Sequence, residues 1–365
     1  MKQKRYLLYS LLLAALILAV LIAIDNSSLK SSMLSTILQK AAIYALLAVS
    51  MNLLNGFTGL FSLGQAGFML LGAYSYAILT IPVEARSAVY QYFNGGLVQF
   101  SVPVVVGIIA AGLVAAIFAF FIGLPVLRLK SDYLAIATLG FAEIIRALIQ
   151  WNTLGPITNG SNILRKFPTY SSLLFPFAVS AISIGLIVLL IRSSYGRAFK
   201  AIREDEIAAE AMGINLAKHK MMSFCTSSFF AGVGGALLAM FQQSVQAKYF
   251  TSAMTYEILL IVVIGGIGSV TGSIISSFLF VACSEWWLRF LDAEQYIGNF
   301  KVPLLRSGFR MVVFSIVIMV IVLFYRRGIM GTNEFSWHAI ERFFKDPFGR
   351  KARMKEREKV TESHE

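Results

Sequence analysis

Glu143 and Arg146 stand three positions apart in YLAIATLGFAEIIRALIQW, a stretch with no other charged side chain. At that spacing they share one face of a helix and can pair, which lowers the cost of holding either in apolar surroundings. Two uses are open: a relay for charge or protons, or a fixed pair that sets the orientation of its helix. A second constellation is GFTGLFSLGQAGFMLLGAY, where Gly56, Gly59, Gly64, Gly67 and Gly72 fall alternately three and five residues apart. Such glycines let helix backbones approach closely, and they tolerate the interruptions found where membrane helices line a pathway. Ser62 and Gln65 within the series favour the pathway, since an uncompensated polar group in hydrocarbon is expensive. Close packing suffices for Gly232, Gly234 and Gly235 and for Gly265, Gly266, Gly268 and Gly272.

The third constellation is the charged segment 194–220, SYGRAFKAIREDEIAAEAMGINLAKHK. Residues 198–212 have helix-forming composition, and Gly213 follows where a left-handed C-terminal cap is expected. Phe199, Ile202, Ala209 and Met212 fall toward one side, with Arg203, Glu204, Asp205 and Glu210 around the rest, so a single short amphipathic helix is predicted. Its mixed charge argues against a helix lying on lipid, where Lys and Arg usually dominate the polar face.

Several chemistries are excluded. The run GGIGSVTGS lacks the spacing and the lysine of a phosphate loop, and the three histidines, at 219, 338 and 364, form no metal-binding motif. Cys225 and Cys283 each lie in an apolar run, which builds neither a disulfide framework nor a metal cluster. No catalytic residue, metal or cofactor is expected in this chain.

These residues are carried by an unusually apolar chain. Of 365 residues 57% are hydrophobic and 14% charged, too little polar surface to cover a soluble globule, so the fold class predicted is an all-α, polytopic membrane bundle. A spanning helix needs roughly 20 apolar residues. About ten runs qualify, at 6–24, 33–54, 60–80, 102–124, 133–151, 173–191, 221–241, 256–270, 272–291 and 308–325. The net charge of +13 lies in short connections and at the two ends, which points to membrane topology and away from nucleic acid. With both termini cytoplasmic, the inner connections and ends hold 21 Lys and Arg and the outer ones seven, so the 194–220 segment faces the cytoplasm. The organisation expected is a transmembrane domain over 1–331 followed by a basic cytoplasmic tail over 332–365, for which both a solvated end and an anchor on anionic lipid are open.

Taken in order, GFTGLFSLGQAGFMLLGAY, DYLAIATLGFAEIIRALIQ with LGPITNGSNIL, SYGRAFKAIREDEIAAEAMGINLAKHKMMSF, LLIVVIGGIGSVTGSIISS and FYRRGIMG resemble the LivM-type permeases of branched-chain amino acid ABC importers, over most of 55–331. The resemblance implies a multi-pass subunit of the bacterial cytoplasmic membrane. It also implies a LivH-type second permease, two ATPase subunits that use the ATP, and an extracytoplasmic solute-binding protein. The coupling loop of that family maps onto Glu206, Ala208, Ala209, Glu210, Ala211 and Gly213, without the proline that trails its fullest form. Leucine, isoleucine and valine are the implied cargo. Permeases for urea and short amides look similar, and SLGQA at Ser62 stands where many members read SLGHA. A carrier acting alone and driven by ions through Glu143 and Arg146 is the rival from another class.

Overall fold

The computed structural model describes residues 33–287 except 94, 130 and 171, together with 12, 15–16, 18–26, 296–297, 300–301, 313, 316, 319, 328–331 and 334. It divides into two compact units, Met1–Val20 with Asn333–Glu365, and Leu21–Thr332. In the first unit the described residues up to 20 are helical, and Leu12, Leu16 and Leu18 are exposed. About half of the expected run 6–24 is described and is helical, whereas the run 308–325 and the tail 332–365 lie largely outside the described residues.

Among its described residues the second unit is mainly helical, with connecting turns and the two-residue strands Tyr296–Ile297 and Phe300–Lys301. Helix α1 (Met33–Asn52) runs on as a π-helical turn, Leu53–Phe57. Then come α2 (Gln65–Thr80), α3 (Val83–Val89), α4 (Val104–Val126), α5 (Ser131–Gln150) and the single turn α6 (Gly155–Thr158). After these follow α7 (Leu174–Arg192), α8 (Ser194–Glu204), α9 (Glu206–Ala211), α10 (Leu216–Gln242), α11 (Ser252–Gly265) and α12 (Val270–Ala282). Among the described residues five helices are long and apolar enough to cross a membrane, or seven if each of two bent pairs counts as one span.

Helix α4 shows which solvent the outer surface was selected for. Its large residues Val105, Ile109, Leu113, Ile117 and Phe121 are exposed, whereas Ala111, Ala115 and Ala119 are buried. In water that arrangement would be inverted. In lipid it follows from the fact that hydrocarbon is as apolar as a leucine side chain, so helices associate through close backbone approach at small residues. The closest approaches are at glycines. A β-carbon at Gly72 would stand 2.1 Å from the Gly232 carbonyl oxygen, and one at Gly235 would stand 2.1 Å from that of Met69, so α2 and α10 touch backbone to backbone with α4 packed against both. The carboxyl end of α2 is closed by Arg86, a buried side chain on α3. Its Nη2 donates to the carbonyls of Ile78, at 2.9 Å, and Phe100, at 2.7 Å, so a last-turn carbonyl that its own helix leaves free is satisfied by a cation.

Two helices are interrupted, and they are interrupted against each other. Helices α11 and α12 bend by 120° at the intervening residues Gly266, Ile267, Gly268 and Ser269. Gly266 at φ +116° and Gly268 at φ +87° occupy the region that favours glycine. Helix α11, with 14 residues, is about 21 Å long, and α12 with the π-helical turn Cys283–Trp287 that continues it is about 27 Å, so α11 is the shorter against a hydrocarbon core of about 30 Å. Their turn is pinned by Asn52, which is fully buried at the end of α1. The Asn52 side-chain amide donates to the Ser269 carbonyl at 2.9 Å and to Ser273 Oγ at 2.8 Å, and its Oδ1 accepts from the Gly268 amide at 2.8 Å. The backbone amides of Ile329 and Met330 take the carbonyls of Ile264 and Gly265, at 2.7 and 3.1 Å, and so complete the end of α11. Backbone groups freed by a break at membrane depth must find partners within the protein, and these do.

Gly72→Val is expected to lower stability by about 1–3 kcal/mol, because its methyls would displace the α10 backbone, and thermal unfolding in detergent reads this directly. In the same assay Asn52→Ala is expected to cost about 1–3 kcal/mol by removing the acceptor of the Gly268 amide; an unchanged midpoint would contradict the pinning role.

Candidate functional site

Within the segment 194–220 two helices, α8 and α9, precede the start of α10, in place of the single one expected over 198–212. The break is at Asp205, whose backbone is extended at φ −159° and ψ 115°, and whose carboxylate accepts from the amides of Ile207, at 2.8 Å, and Ala208, at 3.1 Å. This is an N-cap, and it outcompetes the helix-forming composition that runs through it. Ser193 caps α8 in the same way through the Tyr195 amide, and Asn215 caps α10 through Lys218. Gly213 sits at φ +83°, with the Ile214 amide reaching back to the Ala209 carbonyl at 3.1 Å, which is a Schellman closure of α9.

Burial divides the segment sharply. Phe199, Ile202 and Ala209 are buried, whereas Met212, expected on the same side, is exposed. Glu206, Ala208, Glu210, Ala211 and Gly213 are exposed as well. Ile207 at 82% and Met212 at 83% exposure put two large apolar side chains into the open on a segment otherwise dominated by charge, and a β-carbon at Gly213 would meet nothing within 4 Å. Helix α9 is held to the first turns of α10 by the Lys220–Glu206 ion pair at 2.6 Å.

The inner side of the segment touches the break at the end of α1. Arg203 Nη1 donates to the Gly56 carbonyl at 3.0 Å, and Lys200 Nζ lies 5.6 Å from the centre of the Phe57 ring. The glycine series therefore splits by role. Gly56 and Gly59 lie at the break, Gly64 and Gly67 face Thr138 and Ala142 of α5, and Gly72 packs on α10. Between the break and α2 the chain is held by side chains from several helices. Asn55 and Ser62 exchange two hydrogen bonds, the Leu63 amide donates to Thr138 Oγ1 at 3.0 Å, and the Ala66 amide donates to Thr255 Oγ1 at 3.0 Å. Gln65, buried, donates to Ser50 Oγ at 2.8 Å, and Thr58 shares a 2.6 Å hydrogen bond with Ser223. The start of α2 is thereby tied to α1, α5, α10 and α11.

Glu143 and Arg146 form the expected pair, with Arg146 Nε 2.7 Å from Glu143 Oε2, and both side chains are about one-third exposed. Glu143 Oε1 also accepts from Ser252 Oγ at 3.1 Å, a link from α5 to the first turn of α11 that the sequence did not announce. Lys40 on α1 is ion-paired to Glu285 at 2.5 Å and lies 5.6 Å from the centre of the Tyr44 ring. Three participants were not singled out from the sequence. The cap at Asp205 was masked by helix-forming neighbours on both sides, and Asn52 and Arg203 carry no local signal, because the backbone groups they bond lie more than 140 residues away.

Comparison with known proteins agrees with this architecture of interrupted apolar helices. A family described as the permease component of the branched-chain amino acid transport system matches residues 33–336. The LivM permease proteins of high-affinity branched-chain amino acid transport from Escherichia coli and Salmonella typhimurium are each 35% identical to this chain over 277 residues, 67% of this chain and 61% of the relative. The chain thus spans about 61% of the length of these two relatives. A probable LivH permease of Methanocaldococcus jannaschii is 27% identical over 166 residues, 46% of this chain and 49% of the relative. No solved structure matches. The extent of the family match, together with the apolar helices, shows a multi-pass membrane protein that belongs to the family of branched-chain amino acid transport permease components.

Proposed function

We propose that this chain is one permease subunit of an ABC importer for leucine, isoleucine and valine. ATP is hydrolysed by two separate ATPase subunits, a LivH-type permease forms the other half of the pathway, and a solute-binding protein delivers the cargo. The chain crosses the cytoplasmic membrane about ten times with both termini inside, an orientation supported by the 21 to seven bias of Lys and Arg toward the inner connections and ends. It binds no cofactor itself.

The observation that carries the reading is the segment α8–α9. It is exposed, it offers Ile207 and Met212 to a covering surface, and its opposite side is bonded to the break in α1. A surface with those properties suits a subunit that pushes on the membrane part. Glu206, Glu210, Ala208, Ala211 and Gly213 rim the contact, and the buried Ala209 seats α9 against the bundle. The relatives' names support branched-chain amino acids as the cargo over urea or a short amide. Pairing of Glu143 with Arg146 and Ser252 favours a helix-orienting role over a charge relay, which weakens the alternative of a lone ion-coupled carrier.

In cells that express the whole transporter, Ile207→Asp with Met212→Asp is expected to cut leucine uptake and ATPase co-purification at least about tenfold, as truncating or charging buried interface anchors does, with membrane abundance unchanged. Undiminished uptake and assembly would overturn the coupling role. Excess isoleucine or valine is expected to compete with labelled leucine, and competition by urea instead would overturn the cargo assignment.

A further inference from the structure

We infer that Arg203 is a positioning residue of the transport cycle, a latch that joins the exposed segment to both helix breaks at once; this rests on the coupling role proposed above. The inference starts from two glycines whose missing β-carbons leave room for one side chain, and a third where the two breaks meet. At Gly59, φ +76°, an added β-carbon would stand 2.9 Å from Arg203 Cγ and 3.2 Å from its Cα. At Gly268, φ +87°, it would stand 3.0 Å from Arg203 Nη1. At Gly56 it would collide with Asn52 and the Gly268 amide, so the two breaks lie against one another with the guanidinium at their seam. Arg203 thus packs its stem on the loop after α1, bonds its head to the Gly56 carbonyl at 3.0 Å, and rests against the turn between α11 and α12.

The rest of the guanidinium is also accounted for. Nε donates to Glu204 Oε1 at 3.1 Å and Nη2 to the same oxygen, so the neighbouring carboxylate holds one edge of the fork and leaves Nη1 aimed at Gly56. Few side chains can do this. Lysine offers its three donors from a single ammonium nitrogen without the planar fork, and methionine approximates the stem with no donor at all. The Arg203 side chain is 29% exposed, so water can take over its bonds when it withdraws; a latch of this kind opens without stranding a charge in hydrocarbon. Asn52, by contrast, is fully buried and holds the two breaks together whatever the segment does. The two contacts divide the labour: Asn52 fuses the α1 break and the α11–α12 turn into one body, and Arg203 connects that body to the outside. Displacing α8–α9 therefore has to carry the fused breaks with it or release them.

The test uses the whole transporter purified in detergent and in proteoliposomes, with Cys225 and Cys283 replaced by alanine and a reporter Thr58→Cys placed beside the latch, where Thr58 is buried. Arg203→Met is expected to raise the rate of maleimide labelling at the reporter about tenfold and to lower leucine imported per ATP hydrolysed by a similar factor, as loss of a charged hydrogen bond would. Arg203→Lys is expected to restore part of both, and ATPase co-purification is expected to stay at the parental level. If Arg203→Met lowers the yield of the complex, Glu204→Ala, which keeps the arginine but removes the acceptor that holds its fork, is expected to shift labelling in the same direction. Unchanged labelling and an unchanged ratio in these variants would overturn the latch. The labelling arm is independent of cargo: a parental complex that moves no branched-chain amino acid would defeat the proposed function, while the reporter would still decide the role of Arg203.

Discussion

A backbone amide or carbonyl in hydrocarbon has no water to turn to, so every interruption of a membrane helix must be completed by other parts of the protein. The organisation of this chain follows from how it meets that constraint at two places. The π-helical end of α1 and the turn between α11 and α12 lie against each other, and Asn52 bonds to both sides of that turn with a single side chain. Gly56 and Gly268 can stand against each other only because neither has a β-carbon. Residues 328–331 close the last exposed carbonyls of α11, so the chain near its far end returns to the same point.

A break completed by side chains is a different mechanical object from a continuous helix. A continuous span transmits force along its whole length, whereas two short helices fused at a pinned turn can move as a unit against their neighbours. The neighbours here are the glycine-lined contacts of α2, α4 and α10, where backbones touch and little can shift without collision. The outer surface contributes no such restraint, since α4 presents its bulky residues to lipid. The segment α8–α9 meets the movable part through Arg203 and Lys200 on Gly56 and Phe57, and it is tied to the first turns of α10 through the Lys220–Glu206 pair. Under the coupling role proposed for this segment, that is where a partner's push would enter the bundle.

Much of this was legible in the sequence, for identifiable reasons. Helix ends fell close to the runs marked by apolar length, because Arg128, Arg192 and the charged segment bound them. Gly213 as a C-cap and the Glu143–Arg146 pair are local features, set by φ and by a three-residue spacing, and local features survive into the fold. The split at Asp205 was hidden by flanking residues that all favour helix, so that one capping side chain decided between one helix and two. Lys40, Asn52 and Arg203 were opaque because each is explained by a partner far away in the chain, and a lone polar residue in an apolar run looks the same whether it faces lipid, a pathway or a buried backbone group. The glycine series was read as one feature and is three, since its members face the α11–α12 turn, α5 and α10 in succession.

The central claim is that motion of the membrane part is driven from outside the chain. It is tested most directly by reconstituting the chain with its second permease and ATPase subunits in proteoliposomes and following labelled leucine in the presence of its binding protein. The account predicts accumulation that requires ATP and stops when the ATPase subunits are omitted. Accumulation by this chain alone, driven by an ion gradient and indifferent to ATP, would contradict it.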